Sequence, residues 1–252
     1  MAEERELLKK RFVELASKAE RGVYYTFTHF LGLDEQSAFS EVSREIRAKW
    51  RAYGGVEGTE RVVVRFGDEE EIGYDMPYPI VCVKAEPRAE KFADKLTHRD
   101  FLGAILNLGI EREMVGDIII RANVGYIFLI EDIADYVLSS LERVKHTDVR
   151  LSRVDELPDE ALFKTEERRI TVQSERIDAV IAKVFNLSRD DAQGLIRKRL
   201  VFVEGRECSD NSRTPKPGER ISVRGYGRII YRGTDGSLTR RGKLAVYVEV
   251  YV

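Results

Sequence analysis

The sequence contains few of the residues from which disulfides, metal sites and nucleophilic sites are built. Its 252 residues include only 2 cysteines and 3 histidines. Cys82 and Cys208 share no close spacing, which argues against a disulfide framework and against a zinc site. His29, His98 and His146 are far apart, and no nucleophile accompanies any of them. We therefore expect no catalytic site, no bound metal and no cofactor.

Long hydrophobic runs are absent as well. No run of 18 apolar residues occurs, so the sequence predicts no transmembrane helix. Residues 1–6 are rich in charge and lack the apolar stretch of a signal peptide. The sequence therefore predicts a soluble, cytoplasmic protein that has no membrane partner.

Charge is unevenly distributed along the chain. The whole sequence is nearly neutral, with 42 Lys+Arg against 44 Asp+Glu and a net charge of −2. Residues 170–252 carry 16 basic and 10 acidic side chains, whereas residues 1–169 carry 26 and 34. A cationic C-terminal segment suits phosphate binding, because Lys and Arg release counterions from the nucleic-acid backbone. For any single arginine, simple solvation at the surface is an equal alternative.

Two short amphipathic helices are predicted within the cationic segment. Apolar residues of the range 177–185 recur at helical spacing, which predicts the first helix. Ser188 stands at the N-cap position of a second helix, whose apolar stripe lies within 192–196. Period-two alternation within 201–223, interrupted by glycine and proline, then predicts a small sheet.

This order of helices and strands resembles the S-four RNA-binding domain, also called αL. The resemblance implies that the segment binds folded RNA and supplies no catalytic group. Carried over by position, the implied RNA-binding residues are Arg176, Ser188, Arg189, Gln193, Arg197, Lys198, Arg199, Arg224, Gly225 and Arg228. Cations at the end of a helix also offset its dipole, so a structural role for residues 197–199 remains an equal alternative.

Residues 76–155 show the pattern of a second small domain. Strands are predicted at 80–83, 117–122, 126–130 and 149–154, and helices at 99–108 and 133–141. The order βαββαβ is that of a ferredoxin-like fold, which RNA-recognition motifs share with many other proteins. Tyr126 and Phe128 would lie on one face of this sheet. The order alone is weak evidence for RNA binding, because folds do not fix functions.

We therefore predict an α+β protein of three domains. Residues 1–75 form an N-terminal α/β domain, residues 76–155 the ferredoxin-like middle domain, and residues 170–252 the S-four domain. The charged, proline-containing stretch 156–169 is interpreted as a linker.

Three short motifs imitate catalytic sequences, and each fails. Residues 98–100, His-Arg-Asp, match a kinase catalytic loop, but Ile105 stands where that loop requires asparagine. Residues 225–227, Gly-Tyr-Gly, start a dinucleotide fingerprint that lacks its third glycine at Ile230. Residues 176–178, Arg-Ile-Asp, resemble the Arg-Leu-Asp of pseudouridine synthases but open the first predicted helix, which favours a structural role for the aspartate. The sequence does not predict an enzyme.

A wider resemblance covers nearly the whole chain. The run Thr-His-Arg-Asp-Phe-Leu-Gly at 97–103, followed by Leu-Gly-Ile at 108–110 and Gly-Asp-Ile at 116–118, resembles the middle domain of the bacterial YlmH family. In that family an N-terminal domain and an RNA-binding middle domain precede a C-terminal S-four domain. Near the start, Thr-His-Phe-Leu at 28–31 departs from the family's Thr-Asp-Phe-Leu, because His29 replaces the aspartate.

The YlmH resemblance implies a non-catalytic factor of ribosome-associated quality control. Its partners would be the large ribosomal subunit and structured RNA, both rRNA and tRNA. Two alternatives remain open: an RNA-modifying enzyme of the pseudouridine synthase type, and an adaptor in cell division or photosystem assembly. The oligomeric state is not predicted by any of these resemblances.

Overall fold

The computed structural model describes residues 2–239 and 242–252, which form seven α-helices and three antiparallel sheets. They divide into two compact units, with the boundary between Phe163 and Lys164. Segregated helices and antiparallel strands fit the predicted α+β class. No helix of the described residues is both long enough and apolar enough to cross a membrane.

The first unit begins with three helices and a small sheet. The elements are α1 (Ala2–Gly22), β1 (Thr26–Phe27), α2 (Leu33–Val42), β2 (Trp50–Tyr53), β3 (Val63–Phe66) and α3 (Glu69–Ile72). The strand order is β1-β3-β2. Helix α1 buries Phe12, Ala16 and Ala19, which lie on one face at helical spacing, against a core that contains Phe39 and Phe66.

A second, five-stranded sheet follows in the same unit. Its elements are β4 (Ile80–Pro87), α4 (His98–Leu106), β5 (Val115–Arg121), β6 (Val124–Ile130), α5 (Glu131–Ser140), β7 (Arg143–Val144) and β8 (Thr147–Val154). The strand order is β5-β6-β4-β8-β7. Apart from the two-residue strand β7, these elements follow the order βαββαβ.

Both faces of the five-stranded sheet are covered. Helices α4 and α5 pack on one face through Phe101 and Val137. Tyr126 and Phe128 share the other face, as the alternation of β6 predicted, but both are buried, with Phe30 in the same core cluster. The rings of Tyr126 and Phe128 are therefore not available to stack on bases.

Residues 1–75 and 76–155 are joined within one unit by a half-buried arginine. The Arg61 Nε donates to the Val115 carbonyl at 2.9 Å, and its Nη2 donates to the Phe30 carbonyl at 2.9 Å. Asp117 in turn accepts from the backbone N–H of Glu60 and of Arg61. Burial lowers the pKa of the Arg61 guanidinium. The separate domains that the sequence predicts on either side of residue 75 therefore share one packed body.

The second unit consists of two helices on one six-stranded sheet. Its elements are β9 (Thr165–Val172), α6 (Ile177–Val184), α7 (Arg189–Arg197), β10 (Val201–Val203), β11 (Arg206–Glu207), β12 (Arg220–Val223), β13 (Gly227–Leu238) and β14 (Leu244–Tyr251). The strand order is β11-β10-β12-β13-β14-β9. Helices α6 and α7 pack on the face of the sheet that carries Ile229 and Tyr231.

The predicted linker at 156–169 differs from the structure. Residues 165–169 belong to edge strand β9, which pairs with β14 from Thr165↔Tyr251 to Val172↔Leu244. Further upstream, Ala161 is buried in the core of the first unit. Side chains 165–169 are all exposed, and most are charged, which on an edge strand discourages pairing with another chain. An exposed charged strand and a linker therefore look alike in sequence.

Candidate nucleic-acid interface

A buried carboxylate organises three of the predicted RNA-binding residues. Asp178, in the first turn of α6, is fully buried. It accepts hydrogen bonds from Arg176 Nε at 3.3 Å, Arg189 Nε at 3.2 Å and Gln193 Nε2 at 2.8 Å. Burial alone would raise the pKa of Asp178, but the bonds from Gln193, Arg189 and Arg176 lower it, so the group is a carboxylate at neutral pH.

Each arginine of this cluster uses only one edge of its guanidinium on Asp178. Arg176 and Arg189 both donate through Nε and Nη2. Their side chains remain 37% and 43% exposed. A planar guanidinium that is fixed along one edge can present its other nitrogen to a phosphate oxygen. The buried aspartate therefore holds two cations in place for an anionic ligand.

Helix α7 presents a polar stripe beside its buried face. Arg189, Gln193 and Arg197 lie at i, i+4 and i+8, so they are neighbours along one side of the helix. Ala192 and Ile196 form part of the adjacent face, which is buried in the core. The stripe thus extends the Asp178-centred cluster by one turn, toward the exposed end of the helix.

Ser188 has a structural role at the start of α7. As predicted, it is the N-cap residue, and its hydroxyl accepts from the backbone N–H of Asp191 at 3.0 Å. The same hydroxyl lies 2.6 Å from the Asp191 carboxylate. Its hydrogen bonds therefore go to the helix end, and any contribution of Ser188 to ligand binding acts through the position of Arg189.

The end of α7 forms a Schellman turn with an arginine in the glycine position. The Arg199 N–H bonds the Ile196 carbonyl at 2.9 Å, and the Leu200 N–H bonds the Leu195 carbonyl at 3.0 Å. Arg199 has φ +59°, a left-handed conformation that favours glycine. Its side chain is 78% exposed and lies 3.4 Å from Glu207. For stability alone, glycine would be preferred at position 199.

The turn between β12 and β13 lies beside the end of α7. The backbone N–H of Arg224 donates to the Leu200 carbonyl at 2.8 Å. Gly225 has φ +86° and Gly227 has φ +137°, so both adopt conformations that a side chain would strain. The predicted residues Arg224 and Gly225 therefore neighbour residues 197–199 through this backbone bond.

Tyr226 is a surface residue that is not among the predicted RNA-binding residues. Its ring is 49% exposed, and its centroid lies 6.0 Å from that of Phe185. An exposed ring between two cationic segments can stack on a base. The Gly-Tyr-Gly motif carried the signal, because two glycines with positive φ at 225 and 227 form a turn that exposes the residue between them.

Arg228 lies on the other side of the sheet. It alternates with Ile229, which faces the helices, and its guanidinium stacks 4.5 Å above the ring of Tyr251. Arg224 similarly lies 5.3 Å above the ring of Phe202, a neighbour on the same outer face. The ten predicted residues are thus divided between the α7 side and the outer sheet face.

Comparison with known proteins finds similarity to a family model, to one characterised relative and to one solved structure. Residues 82–157 match a family model described as "Putative RNA-binding domain in YlmH". The chain is also 32% identical, over 164 residues, to the "Ribosome-associated protein quality control protein P2" of Bacillus subtilis (strain 168). The resemblance to the YlmH family is confirmed. The matched part is 63% of this chain and 63% of the B. subtilis relative, which is less than two thirds of that protein's length.

A solved YlmH structure also resembles this chain. It is the cell division protein ylmH from Streptococcus pneumoniae, and the two chains are 21% identical. The superposition covers 60% of this chain and 91% of that chain, with a TM-score of 0.48.

Proposed function

We propose that this protein binds structured RNA, both rRNA and tRNA, on the large ribosomal subunit in ribosome-associated quality control. In this proposal the middle domain is ferredoxin-like, and the second unit is an S-four-type RNA-binding domain. The observation that carries the proposal is the buried Asp178, which fixes Arg176, Arg189 and Gln193 at the surface. The YlmH-type match at residues 82–157 supports an RNA ligand independently.

The geometry of the aspartates favours a binding protein over an RNA-modifying enzyme. Asp178, the aspartate of the synthase-like motif, is fully buried and holds three donors, so it is not placed to reach a base. Asp100, the aspartate of the kinase-like motif, accepts from the Thr97 backbone N–H at 2.8 Å and caps α4. Both carboxylates therefore have structural roles, Asp178 as an acceptor for three donors and Asp100 as part of the cap of α4.

Sedimentation tests the proposed partner. Tagged full-length protein is separated with cell extract on a sucrose gradient, with and without ribonuclease. We expect it to migrate with free large subunits in preference to intact ribosomes, and to leave them after ribonuclease or at high salt, because phosphate contacts are salt-sensitive. Exclusive migration with small subunits would contradict the proposal. So would recovery in a membrane fraction that ribonuclease does not disturb.

Arg199 offers a test in which stability and binding move in opposite directions. We expect Arg199→Gly to raise the free energy of unfolding by about 0.5–1 kcal/mol, because relief of left-handed strain outweighs the backbone entropy of glycine. RNA affinity should fall in the same variant, because a phosphate-binding cation is lost. Urea unfolding and RNA titration measure the two quantities.

The matched control for Arg199 is Asn186→Gly. Asn186 also has a positive φ, +54°, directly after α6, and it is not among the predicted RNA-binding residues. This variant should keep wild-type RNA affinity. A more stable Arg199→Gly protein that binds RNA as tightly as the wild type would assign Arg199 to helix termination alone.

A further inference from the structure

Basic side chains without a carboxylate partner are concentrated at one end of the region that matches the YlmH-type model, residues 82–157. Other basic residues of this region form ion pairs or donate to backbone carbonyls: Lys84, Arg112, Arg121, Arg143, Arg150 and Arg153. The rest form no ion pair with any residue that the structure describes: Arg88, Lys91, Lys95, Arg99 and Lys145. All of the latter are exposed. They lie in the loop between β4 and α4, at the start of α4, and in the turn between β7 and β8.

The loop between β4 and α4 is held against the turn between β7 and β8. The Asp94 backbone N–H donates to Thr147 Oγ1 at 2.9 Å, and the Asp94 carboxylate accepts from the His146 backbone N–H at 3.3 Å. Lys95 follows Asp94 in sequence, and Lys145 precedes His146. These contacts therefore bring the two lysines to the same end of the five-stranded sheet.

A second anchor for this loop is the turn between β5 and β6. The Leu96 backbone N–H donates to Asn123 Oδ1 at 2.7 Å, and Asn123 Nδ2 donates to the Asp94 carbonyl at 2.8 Å. The Leu96 side chain is buried in the core that α4 and α5 share. The backbone that carries the basic side chains is thus fixed before any ligand binds, which lowers the entropic cost of binding.

Phe92 is the aromatic residue of the same loop. Its side chain is 82% exposed, at the end of the short 3₁₀ helix Glu90–Phe92. The Lys91 Nζ lies 5.7 Å from the centroid of its ring. Phe92 belongs to none of the core clusters of the described residues, so its ring has no packing role within the fold. A flat apolar ring beside cations is the combination on which unpaired nucleotides stack.

The carboxylates near this loop are mostly engaged already. Residues 88–99 contain Glu90 and Asp94, and Asp94 accepts from His146. Asp100, which interacts electrostatically with Lys145, accepts from the backbone N–H and the hydroxyl of Thr97 at the cap of α4. The exposed cations therefore face few free negative charges, and an anionic ligand would supply them.

We propose that residues 88–99 and the turn at 145–146 form a second RNA-binding surface. An unpaired base stacks on Phe92, and Lys91, Lys95 and Lys145 bind phosphates of the same strand. This proposal rests on the proposed RNA-binding function and locates the RNA contact of the first unit outside the sheet. The sheet itself is covered on both faces, by α4 and α5 and by the core that contains Phe30.

Phe92→Trp tests the stacking without removing the ring. The full-length variant is titrated with an RNA hairpin that carries a single-stranded extension. We expect quenching of the added tryptophan, beyond any change that the wild type shows through Trp50, because stacking on a base quenches indole fluorescence. Tyr136→Trp is the matched control: it places a tryptophan at another exposed aromatic position of residues 82–157, on α5, and should show no such quenching.

Phe92→Ala tests the contribution of the ring to affinity. We expect about ten-fold weaker binding of the extended hairpin, the effect of one lost base stack, and unchanged binding of the same hairpin without its extension. Phe92→Trp should keep the wild-type affinity. Circular dichroism checks that each variant is folded.

Replacement of Lys91, Lys95 and Lys145 by alanine together tests the phosphate contacts. The slope of log affinity against log salt should become shallower by about 0.7–0.9 for each lost contact. The control replaces the ion-paired Lys84, Arg150 and Arg153, which removes the same charge from the same region. This control should keep the wild-type slope.

The outcomes separate this surface from RNA binding in general. A Phe92→Trp protein that binds the extended hairpin without quenching would overturn the surface and leave the proposed function standing. Wild-type affinity in Phe92→Ala, or a wild-type slope in the lysine variant, would also overturn the surface alone. Failure of the wild type to bind either hairpin would overturn both. Equal quenching by polyglutamate at the same concentration of charge would assign the surface to an acidic protein instead.

Discussion

Asp178→Asn is expected to weaken RNA binding about ten-fold, although it removes a negative charge and so makes the chain more cationic by one. Simple attraction to phosphate would raise the affinity of a more cationic protein. In the structure, however, Asp178 is the group that fixes Arg176, Arg189 and Gln193. An amide cannot accept from two guanidinium groups as a carboxylate does, so both arginines should lose their fixed orientation.

Asp190→Asn is the matched control for this prediction. Asp190 is exposed in the first turn of α7, next to Arg189 in sequence, and its replacement changes the net charge by the same amount. We expect this control to bind RNA as tightly as the wild type, or more tightly. Equal affinity of the two variants in titrations at one salt concentration would show that charge, and not the organisation by Asp178, determines binding.

The same carboxylate should leave a signature in the pH dependence of stability. The pKa of Asp178 is lowered in the folded protein. Its contribution to stability is therefore complete above the unfolded pKa of about 4, and is lost as the pH falls through the lower folded value. Urea unfolding between pH 5 and pH 2 should show a smaller loss of stability in Asp178→Asn than in the wild type.

Replacement of Arg197, Lys198 and Arg199 by alanine together should have the largest effect on affinity. We expect a loss of roughly 100-fold at physiological salt, because each cation is exposed and can make a charge-assisted bond to phosphate. The control replaces three exposed cations of α1, Lys10, Arg11 and Lys18, by alanine. It removes the same charge from the first unit and should bind nearly as tightly as the wild type.

A structural role alone predicts a different result for this triple variant. Cations at the end of α7 stabilise its dipole by about 0.3–1 kcal/mol each, so their loss would lower the unfolding free energy and leave the RNA affinity of the folded protein unchanged. Measurement of both quantities on one preparation separates the two roles. Arg228→Glu tests separately whether the outer sheet face binds RNA, because Arg228 lies on that face and not on the α7 side.

Local features of the second unit could be predicted from the sequence because they depend on neighbouring residues. The spacing of apolar residues predicted a helix over 177–185, and α6 covers Ile177–Val184. Ser188 was predicted and observed as the N-cap of α7. A structural role was favoured for Asp178, and it is buried with three donors. Each of these inferences needs only the geometry of one helix.

Features that depend on packing between elements could not be predicted in this way. Asp178 and Gln193 meet because α6 and α7 cross, and spacing along the chain does not encode a crossing angle. The shared face of Tyr126 and Phe128 followed from alternation, but its burial depends on the N-terminal segment and on Ala161. Similarly, nothing in the sequence separated Arg228 from the residues of α7. Only the folded sheet shows that the predicted RNA-binding residues lie on two surfaces.

The salt dependence of RNA binding tests most directly the central claim that the cations at the end of α7 bind RNA phosphates. Affinities of the wild type, the triple variant of residues 197–199 and the α1 control are measured between 50 and 200 mM salt. We predict that the slope of log affinity against log salt becomes shallower by about 0.7–0.9 for each lost phosphate contact in the triple variant, and that the control keeps the wild-type slope. A triple variant with the wild-type slope would contradict the account.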